Sequence, residues 1–318
     1  MTMPQPEHPV RAALVGAGMI GRAWAIVFAE ANFAVSLWDP EPSATAAAMA
    51  YIRQQLAELS RAGLLAAAPE AVLARVTAAP DLPTALRDAD HVQENGPEKL
   101  EVRTALFAEL DRLSPPGAVI ASSTSGMRPS SFTEALPGRA RCLVAHPANP
   151  PYLVPLVELC PAPWTSRETM ARTRALMLRA GRRPATLSRE VDGFILNRLQ
   201  GALLAEAFRL VGDGVVAAED LDTVVKDGLG LRWSFMGPLE TVDLNAPGGI
   251  GDFCTRYGGL YEALQEQMRP RAWDAALVGR IEAARRALLP LGDIEARQAW
   301  RDRRLMALAT HNAAQPTK

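Results

Sequence analysis

His146 is the side chain in this sequence best suited to acid–base chemistry, and it is one of four histidines. An imidazole exchanges a proton near neutral pH, and a neighbouring carboxylate decides which ring nitrogen carries the hydrogen. Glu158 follows an apolar run, and a glutamate buried there would need such a partner. Ser125 and Asn197 are neutral groups that can hydrogen-bond a reacting oxygen. The four candidates predict interconversion of an alcohol and a ketone, which also requires a hydride carrier.

Each of these candidates also has a purely structural interpretation. A histidine on an apolar strand is more often a hydrogen-bonded core residue than a base. Glu158 could pair with any arginine, and Ser125 could cap a helix that starts near Pro129. Asn197 could be a buried polar residue of a helix, although asparagine is a poor helix former whose unmet hydrogen bonds are costly.

The N-terminal segment predicts the hydride carrier. An apolar run at 12–15 leads into Gly16-Ala17-Gly18-Met19-Ile20-Gly21, and a helical pattern follows. Gly16 allows a tight turn, Gly18 lets backbone N–H groups approach a pyrophosphate, and Gly21 permits close packing of helix and strand. A strand before the glycines and a helix after them are the context that a dinucleotide-binding fingerprint requires.

Asp39 predicts the type of dinucleotide. It closes the second apolar segment of the chain, where a carboxylate accepts hydrogen bonds from the adenosine ribose and repels a 2′-phosphate. Pro40, Glu41 and Pro42 follow, with no arginine or lysine to bind that phosphate. The expected cofactor is therefore NAD rather than NADP.

The remaining pattern predicts a Rossmann-type, doubly wound parallel sheet followed by an all-α domain. Segments that read as strands alternate with helical patterns, at 91–94, 118–122, 142–145 and 154–160. Ligands of such sheets bind beyond the carboxyl ends of the strands, where five candidates fall: Gly16, Asp39, Glu94, Ser125 and His146. A long amphipathic helix is expected over 193–211, and further helices after it. The predicted domains are 1–190, which binds NAD, and 191–318, which is helical.

Composition excludes several classes of protein. The net charge of −1 gives no electrostatic case for binding nucleic acid or an anionic membrane. The sequence has no apolar run of transmembrane length, and its polar N-terminus lacks the pattern of a signal peptide. Three scattered cysteines suggest neither a disulfide framework nor a metal site, so the cytoplasm is the expected location.

The motifs together resemble one enzyme family. The chain is similar over essentially its full length to the L-3-hydroxyacyl-CoA dehydrogenase superfamily, through the fingerprint at 16–21, Ser122-Ser123-Thr124-Ser125, His146-Pro147-Ala148-Asn149-Pro150, Leu156-Val157-Glu158, Gly193-Phe194-Ile195-Leu196-Asn197-Arg198-Leu199 and Met236-Gly237-Pro238. Within that superfamily it most resembles the lambda-crystallin group of L-gulonate 3-dehydrogenases, through segments such as Asn149-Pro150-Pro151-Tyr152, Leu229-Gly230-Leu231-Arg232-Trp233 and Arg297-Gln298-Ala299-Trp300-Arg301-Asp302.

The resemblance implies roles for individual residues. It gives the active-site places to Ser125, His146, Glu158 and Asn197, and the cofactor-contact places to Met19, Ile20, Asp39, Glu94 and Lys99. It also implies oxidation of an L-configured alcohol and a homodimer joined through the helical domain.

The substrate is less well determined than the reaction. A free L-3-hydroxy acid is preferred, with L-gulonate oxidised to 3-dehydro-L-gulonate, because Arg232 beside Trp233 suits capture of a free carboxylate. The 41–79 region, where a CoA tail would lie by resemblance, carries few arginines among several acids. The alternatives are an L-3-hydroxyacyl-CoA, L-carnitine, a catalytically silent NAD-binding protein, and a role for Arg232 in an interdomain or dimer salt bridge.

Overall fold

The computed structural model describes residues 9–315. The chain forms two compact units, which are Met1–Asn197 with Ala299–Lys318, and Arg198–Gln298. In the described part, no helix is both long enough and apolar enough to cross a membrane. Residues 9–315 also contain no cluster of three or more His, Cys, Asp or Glu side chains arranged to hold a metal ion.

The first unit is built on an eight-stranded sheet with the order β3-β2-β1-β4-β5-β6-β7-β8. Its strands are β1 (Arg11–Val15), β2 (Ala34–Trp38), β3 (Val76–Ala78), β4 (His91–Glu94), β5 (Val119–Ser122), β6 (Cys142–Pro147), β7 (Leu156–Pro161) and β8 (Arg183–Thr186). The strands from β3 across to β6 are parallel, whereas β7 is antiparallel to β6 and β8 is parallel to β7.

The helices of the first unit connect these strands. They are α1 (Met19–Glu30), α2 (Pro42–Arg61), α3 (Pro69–Leu73), α4 (Leu82–Leu86), α5 (Leu100–Leu113), α6 (Ser130–Thr133) and α7 (Arg167–Arg179). Two hydrophobic clusters arise because successive strand residues point to opposite faces of the sheet. Leu14 belongs to the cluster that contains Trp24 and Phe28 of α1, and Val15 belongs to the cluster that contains Phe107 of α5.

The second unit is helical. The helices that lie wholly or largely in it are α8 (Leu196–Gly212), α9 (Ala218–Thr223), α10 (Leu231–Trp233), α11 (Pro238–Asp243), α12 (Gly249–Gln267) and α13 (Ala275–Leu288), with a π-helical segment at Val224–Gly230. The predicted Rossmann-type sheet followed by a helical region is thus confirmed. The helix expected from residue 193 begins at Leu196, because Gly193 and Phe194 have φ angles of 73° and 52° and cannot continue a right-handed helix.

The last helix differs from the predicted division at 191–318. This helix, α14 (Ile294–Ala313), crosses from the second unit into the first at Ala299. Met306 is buried in the hydrophobic cluster that contains α1 and α2, and Thr310 donates a hydrogen bond to the carbonyl of Ala62 at 3.3 Å. An amphipathic pattern identifies a helix but does not identify the surface against which it packs.

Two short strands and one strand direction also differ from the sequence-based expectation. β3 and β8 follow the helices α3 and α7 and were not predicted, because four or fewer partly polar residues carry little periodicity. β7 was expected in a parallel sheet and is antiparallel to β6. This direction decides which side chains meet at the carboxyl end of β6.

Candidate active site

The fingerprint forms a turn that only glycine can build at two of its positions. Gly16 has a φ of 98°, and a Cβ there would lie 2.8 Å from the carbonyl oxygen of Asn95. A Cβ on Gly21 would lie 1.8 Å from the carbonyl oxygen of Gly16. Because neither residue has a Cβ, helix α1 can start close to the end of β1.

The N-terminus of α1 is suited to a pyrophosphate. Gly18 is its N-cap residue, and nothing lies within 4 Å of a Cβ built there. No side chain caps the helix, and its first turn holds no acidic residue. The free N–H groups and the helix dipole therefore favour an anion at this position, which is what a dinucleotide would supply.

Asp39 is held against this turn. Its Oδ2 accepts the N–H of Ala17 at 2.8 Å, and its Oδ1 accepts the N–H of Glu41 at 2.9 Å. Each carboxylate oxygen can accept a further hydrogen bond. Asp39 thus keeps acceptor capacity beside this turn, which its predicted contact with the adenosine ribose requires.

Two further fingerprint residues lie at the start of α1. The side chain of Met19 is 56% exposed, and its sulfur lies 3.5 Å from Nδ2 of Asn149. Ile20 is half-buried against the core. Asn149 belongs to the segment that directly follows His146, so the cofactor turn and the histidine segment are neighbours.

His146 and Glu158 form a buried pair across two strands. The antiparallel register of β6 and β7 places the two residues opposite each other, and Nδ1 of His146 lies 2.9 Å from Oε2 of Glu158. The exposed fractions of the side chains are 8% and 1%. An ionised carboxylate only accepts, so Nδ1 carries the hydrogen and Nε2 of His146 is left as a proton acceptor.

Glu158 is also tied to the start of α8. Its Oε1 accepts the N–H groups of Ile195 and Leu196 at 2.8 and 2.9 Å. Burial disfavours the charged form of Glu158, but the hydrogen bonds from the imidazole and from these amides outweigh it, so its pKa lies below the ordinary carboxyl value. The carboxylate is therefore charged at neutral pH.

A turn at Gly193 and Phe194 makes this arrangement possible. Phe194 is fully buried despite its positive φ, and its ring centroid lies 5.4 Å from that of His146. The turn both packs against the imidazole and points the next two amides at Glu158. The sequence motif contains Phe194, but only the structure reveals this positioning contact.

Ser125 and Asn197 form the second pair of the site. Ser125 follows β5 and is exposed, and Nδ2 of Asn197 donates a hydrogen bond to its carbonyl oxygen. Ser125 does not cap the helix that follows it, since the N-cap residue of α6 is Pro129. Because Asn197 comes directly after the two residues that bind Glu158, one short segment connects both pairs.

The structure corrects the expected cofactor contact at Glu94. Its side chain is fully buried, and its oxygens accept hydrogen bonds from Gly96, Ser122 and Arg103. An enclosed carboxylate cannot contact a cofactor directly, so Glu94 has an internal role. Lys99 is the exposed N-cap residue of α5, and its side chain does not cap the helix.

Glu98 is the carboxylate that the structure brings to the site instead. It accepts hydrogen bonds from both the N–H and the hydroxyl of Ser125. Sequence analysis missed it because a glutamate shortly before a helix usually serves that helix, and its contact with residue 125 is long-range. The spacing of four residues from Glu94 was the only available signal.

Arg232 belongs to the second unit. It lies in the short helix α10 and is exposed, and within that unit its guanidinium has no hydrogen-bond or ion-pair partner among the described residues. Its predicted role in binding a substrate carboxylate stays a prediction.

Comparison with known proteins identifies relatives of this sequence. The chain matches the family model described as 3-hydroxyacyl-CoA dehydrogenase, NAD binding domain, over residues 11–191, and the corresponding C-terminal domain over residues 193–285. A lambda-crystallin homolog from Bos taurus is 44% identical over 97% of this chain and 98% of the relative. An L-carnitine dehydrogenase from Streptomyces coelicolor is 37% identical over 89% of this chain and 90% of that relative.

Solved structures show the same architecture. The crystal structure of 5-formyl-3-hydroxy-2-methylpyridine 4-carboxylic acid 5-dehydrogenase, an NAD⁺-dependent dismutase, superposes with a TM-score of 0.84 at 27% identity, covering 97% of this chain and 100% of that chain. A 3-hydroxybutyryl-CoA dehydrogenase from Escherichia coli has a TM-score of 0.66 at 29% identity, covering 82% of this chain and 54% of that chain. The NAD-binding family model confirms NAD as the cofactor predicted from the fingerprint.

Proposed function

Because this chain belongs to the 3-hydroxyacyl-CoA dehydrogenase family of NAD-dependent oxidoreductases that act on CH–OH groups, we propose that its substrate is a free L-3-hydroxy acid, with L-gulonate as the best candidate. The observation that carries the proposed chemistry is the buried pair of His146 and Glu158, which leaves Nε2 of the imidazole free to accept a proton.

The side chains then divide the reaction between them. NAD, held by the turn at Gly16 to Gly21 and by Asp39, would supply the acceptor for the hydride that leaves C3 of the substrate. Nε2 of His146 accepts the proton of the 3-hydroxyl, and the charged Glu158 stabilises the imidazolium that forms. General acid–base transfer of this kind contributes about 10²–10⁴-fold to the rate. The proton is later released from Nε2, which returns the pair to its starting state.

Ser125 and Asn197 are assigned to orientation of the reacting oxygen. The Asn197 amide already donates one hydrogen bond to the carbonyl of Ser125, so it fixes the serine main chain. Its second N–H and the serine hydroxyl are the donors that can face the substrate. Donors placed around the oxygen favour the alkoxide character that develops as hydride departs.

The C-terminal segment supports a free acid over an acyl-CoA. The C-terminal family model ends at residue 285, whereas the lambda-crystallin homolog matches almost the whole chain. In this protein the segment from Ala299 packs against α2 through Met306 and Thr310. Helix α2 lies in the 41–79 region, where a CoA tail is expected by resemblance, so the C-terminal helix covers part of the surface that the tail would need.

The cations of the 41–79 region support the same choice. Arg61 is paired with Glu58 at 2.9 Å, and Nη1 of Arg75 donates to the carbonyl of Ala29 at 2.7 Å. Arg53 is exposed on α2. Two exposed arginines, one of which is already paired with Glu58, are a weak binding site for the several phosphate charges of CoA. Arg232, without a partner in its own unit, is available for one substrate carboxylate.

L-carnitine is the second candidate substrate, because a relative of that name aligns over 89% of this chain. Carnitine is also a free 3-hydroxy acid, so the proposed proton transfer and the role of Arg232 would be unchanged. The two candidates differ at C4, where carnitine carries a quaternary ammonium group and gulonate carries a hydroxyl.

The test is a substrate panel with NAD, followed by the appearance of NADH. L-gulonate, L-carnitine, L-3-hydroxybutyrate and L-3-hydroxybutyryl-CoA are compared by kcat/KM, with His146→Gln as the inactive control. We expect a free acid, and L-gulonate first, to be turned over best. Preference for 3-hydroxybutyryl-CoA over every free acid would overturn the assignment of the substrate class.

Assembly and location are proposed on separate grounds. The second unit exposes large apolar side chains, including Leu231, Phe235 and Leu239, which are 65%, 70% and 72% exposed. Exposed apolar groups of this kind are typical of an interface between subunits. We propose a homodimer joined through this unit. The cytoplasm is proposed as the location because the three cysteines are few and widely spaced. Light scattering on a size-exclusion column tests the dimer, and a monomer at micromolar concentration would contradict it.

A further inference from the structure

Glu98 is the most heavily hydrogen-bonded carboxylate at the candidate site. Its Oε1 accepts the N–H of Ser125 at 2.6 Å and the hydroxyl of Ser125 at 3.1 Å. Its Oε2 accepts the hydroxyl of Thr124 at 2.8 Å and Nη1 of Arg103 at 3.0 Å. The side chain remains 45% exposed, so it lies between the interior and the open side of the site.

Arg103 is the buried partner that fixes the position of Glu98. Its guanidinium is 1% exposed, and Nε pairs with Glu94 at 3.2 Å while Nη1 pairs with Glu98. The remaining nitrogen donates to the carbonyls of Gly96 and Pro97 at 3.4 and 3.2 Å. A buried guanidinium is costly unless its donors are matched, so this set has one favoured arrangement.

Glu94 anchors the arginine to the sheet. Its oxygens accept the hydroxyl of Ser122 at 2.6 Å and the N–H of Gly96 at 2.6 Å, in addition to Arg103. The ends of β4 and β5 are thereby connected to the segment that contains Glu98. The chain of contacts runs from the sheet through Glu94 and Arg103 to Glu98, and ends at Ser125.

Ser125 is consequently held on both sides of its main chain. Glu98 accepts its N–H, and Asn197 donates to its carbonyl oxygen. Only the hydroxyl can still turn. Its contact with Glu98, at 3.1 Å, is long for an O–H···O hydrogen bond, whose usual distance is about 2.7–2.8 Å. A substrate oxygen can therefore take over this donor without disturbing the other three contacts of Glu98.

We propose that Glu98 is a positioning residue for the reaction, which fixes the main chain of Ser125 so that the serine hydroxyl can turn to the reacting oxygen. The inference rests on the role given to Ser125 in the proposed function. It assigns no proton transfer to Glu98 itself. Burial disfavours the charged form of Glu98, but the hydrogen bonds that it accepts and the charge of Arg103 outweigh it, so its pKa lies below the ordinary carboxyl value.

A double-mutant cycle tests the proposal. Ser125→Ala, Glu98→Gln and the double variant are compared by kcat on the best substrate of the panel, whichever compound that is. We expect each single variant to lose about 10–100-fold in kcat, because misplacement of an orienting group by about 1 Å costs up to about 10²-fold. The double variant should lose no more than Ser125→Ala alone, because Glu98 acts through that side chain.

Two further variants keep the result interpretable. Glu98→Asp retains the negative charge beside Arg103, but its shorter side chain withdraws the carboxylate from Ser125. It takes the place of Glu98→Gln in the cycle if circular dichroism shows that Glu98→Gln does not fold. Its loss of kcat should likewise vanish in the Ser125→Ala background. Glu101→Gln makes the same chemical change at an exposed position of α5 and should leave kcat and NADH affinity unchanged.

The outcomes separate this inference from the proposed function. Additive losses in the cycle, or a weaker NADH affinity with unchanged kcat, would show that Glu98 does not act through Ser125. If Ser125→Ala itself leaves kcat unchanged, the role of Ser125 fails and the positioning role falls with it. A different best substrate would change only the compound used in the cycle.

Discussion

Replacing Glu158 by glutamine should impair catalysis more than folding, because of the three donors that surround the carboxylate. Glu158 accepts hydrogen bonds from Nδ1 of His146 and from the N–H groups of Ile195 and Leu196. Glutamine has one acceptor oxygen and one donor NH₂. If the oxygen keeps both amides, the NH₂ faces the imidazole, and Nδ1 must become the acceptor.

The consequence is a histidine in the wrong tautomer. The hydrogen then lies on Nε2, which can no longer accept the substrate proton, and the imidazolium also loses its counter-charge. We expect kcat to fall by about 10²–10⁴-fold, which is the usual contribution of a positioned general base. The mismatched donors should also reduce the free energy of unfolding by about 1–3 kcal/mol.

The assay is NADH formation at saturating substrate, with NADH affinity and circular dichroism measured on the same samples. Glu168→Gln, at an exposed first-turn position of α7, is the matched control and should behave as the wild type.

The stability of the wild type should also depend on pH through Glu158. The folded pKa of Glu158 is lowered, so its contribution is present above the ordinary carboxyl pKa and lost as pH falls through the folded value. An unchanged kcat in a folded Glu158→Gln variant would refute the reasoning and leave Glu158 as a structural residue.

Three further predictions test other parts of the molecule. The wild type should prefer NAD over NADP by at least about 10-fold in kcat/KM, or about 1.4 kcal/mol. Asp39→Ser combined with Pro40→Arg should reduce this preference. Equal use of both cofactors by the wild type would contradict the role of Asp39. Arg232→Met should raise KM for a free 3-hydroxy acid at least 10-fold with little change in NAD affinity. The reason is the loss of a charged pair worth about 1.5–3 kcal/mol. An unchanged KM would show that Arg232 does not bind the substrate. Burial raises the pKa of Glu30 to about 7 against the opposing charge of Arg182, so its protonated form stabilises the fold at low pH and that contribution is lost as pH rises through 7. Chemical denaturation of the wild type from pH 4 to 8 should therefore show a decline of about a few kcal/mol in the free energy of unfolding, and Glu30→Gln should abolish this decline. Identical pH profiles of stability for the wild type and Glu30→Gln would contradict the prediction.

The cofactor turn could be predicted from the sequence because it depends on neighbours along the chain. A glycine is favoured at 16 because its φ of 98° is one that other residues rarely adopt, and it is needed at 21 because a Cβ there would meet the carbonyl oxygen of Gly16. The strands β1, β2, β5 and β6 likewise read as largely apolar runs with clear ends. His146, Ser125 and Asp39 were placed at the carboxyl edge of the sheet by this logic alone.

Other features depended on contacts between distant parts of the chain. Residue spacing could not distinguish Glu94 from Glu98, because Glu94 ends β4 and Glu98 follows it by four residues. Only the interior position of Arg103 makes the first structural and brings the second to Ser125. The pairing of His146 with Glu158 required β7 to be antiparallel to β6, which is a matter of topology. The return of α14 to the first unit depended on which apolar surface remained uncovered there.

The sequence by itself therefore determined the cofactor turn, the class of fold and the types of residue that carry the chemistry. Tertiary structure decided which carboxylate contacts which partner, that Phe194 packs against the imidazole, and that the C-terminal helix packs at the end of α2. The physical reason is that backbone conformation and apolar periodicity are local properties of the chain. Hydrogen-bond partners in a buried site are chosen among residues far apart in sequence, by strand register and by the cost of leaving any donor unmatched.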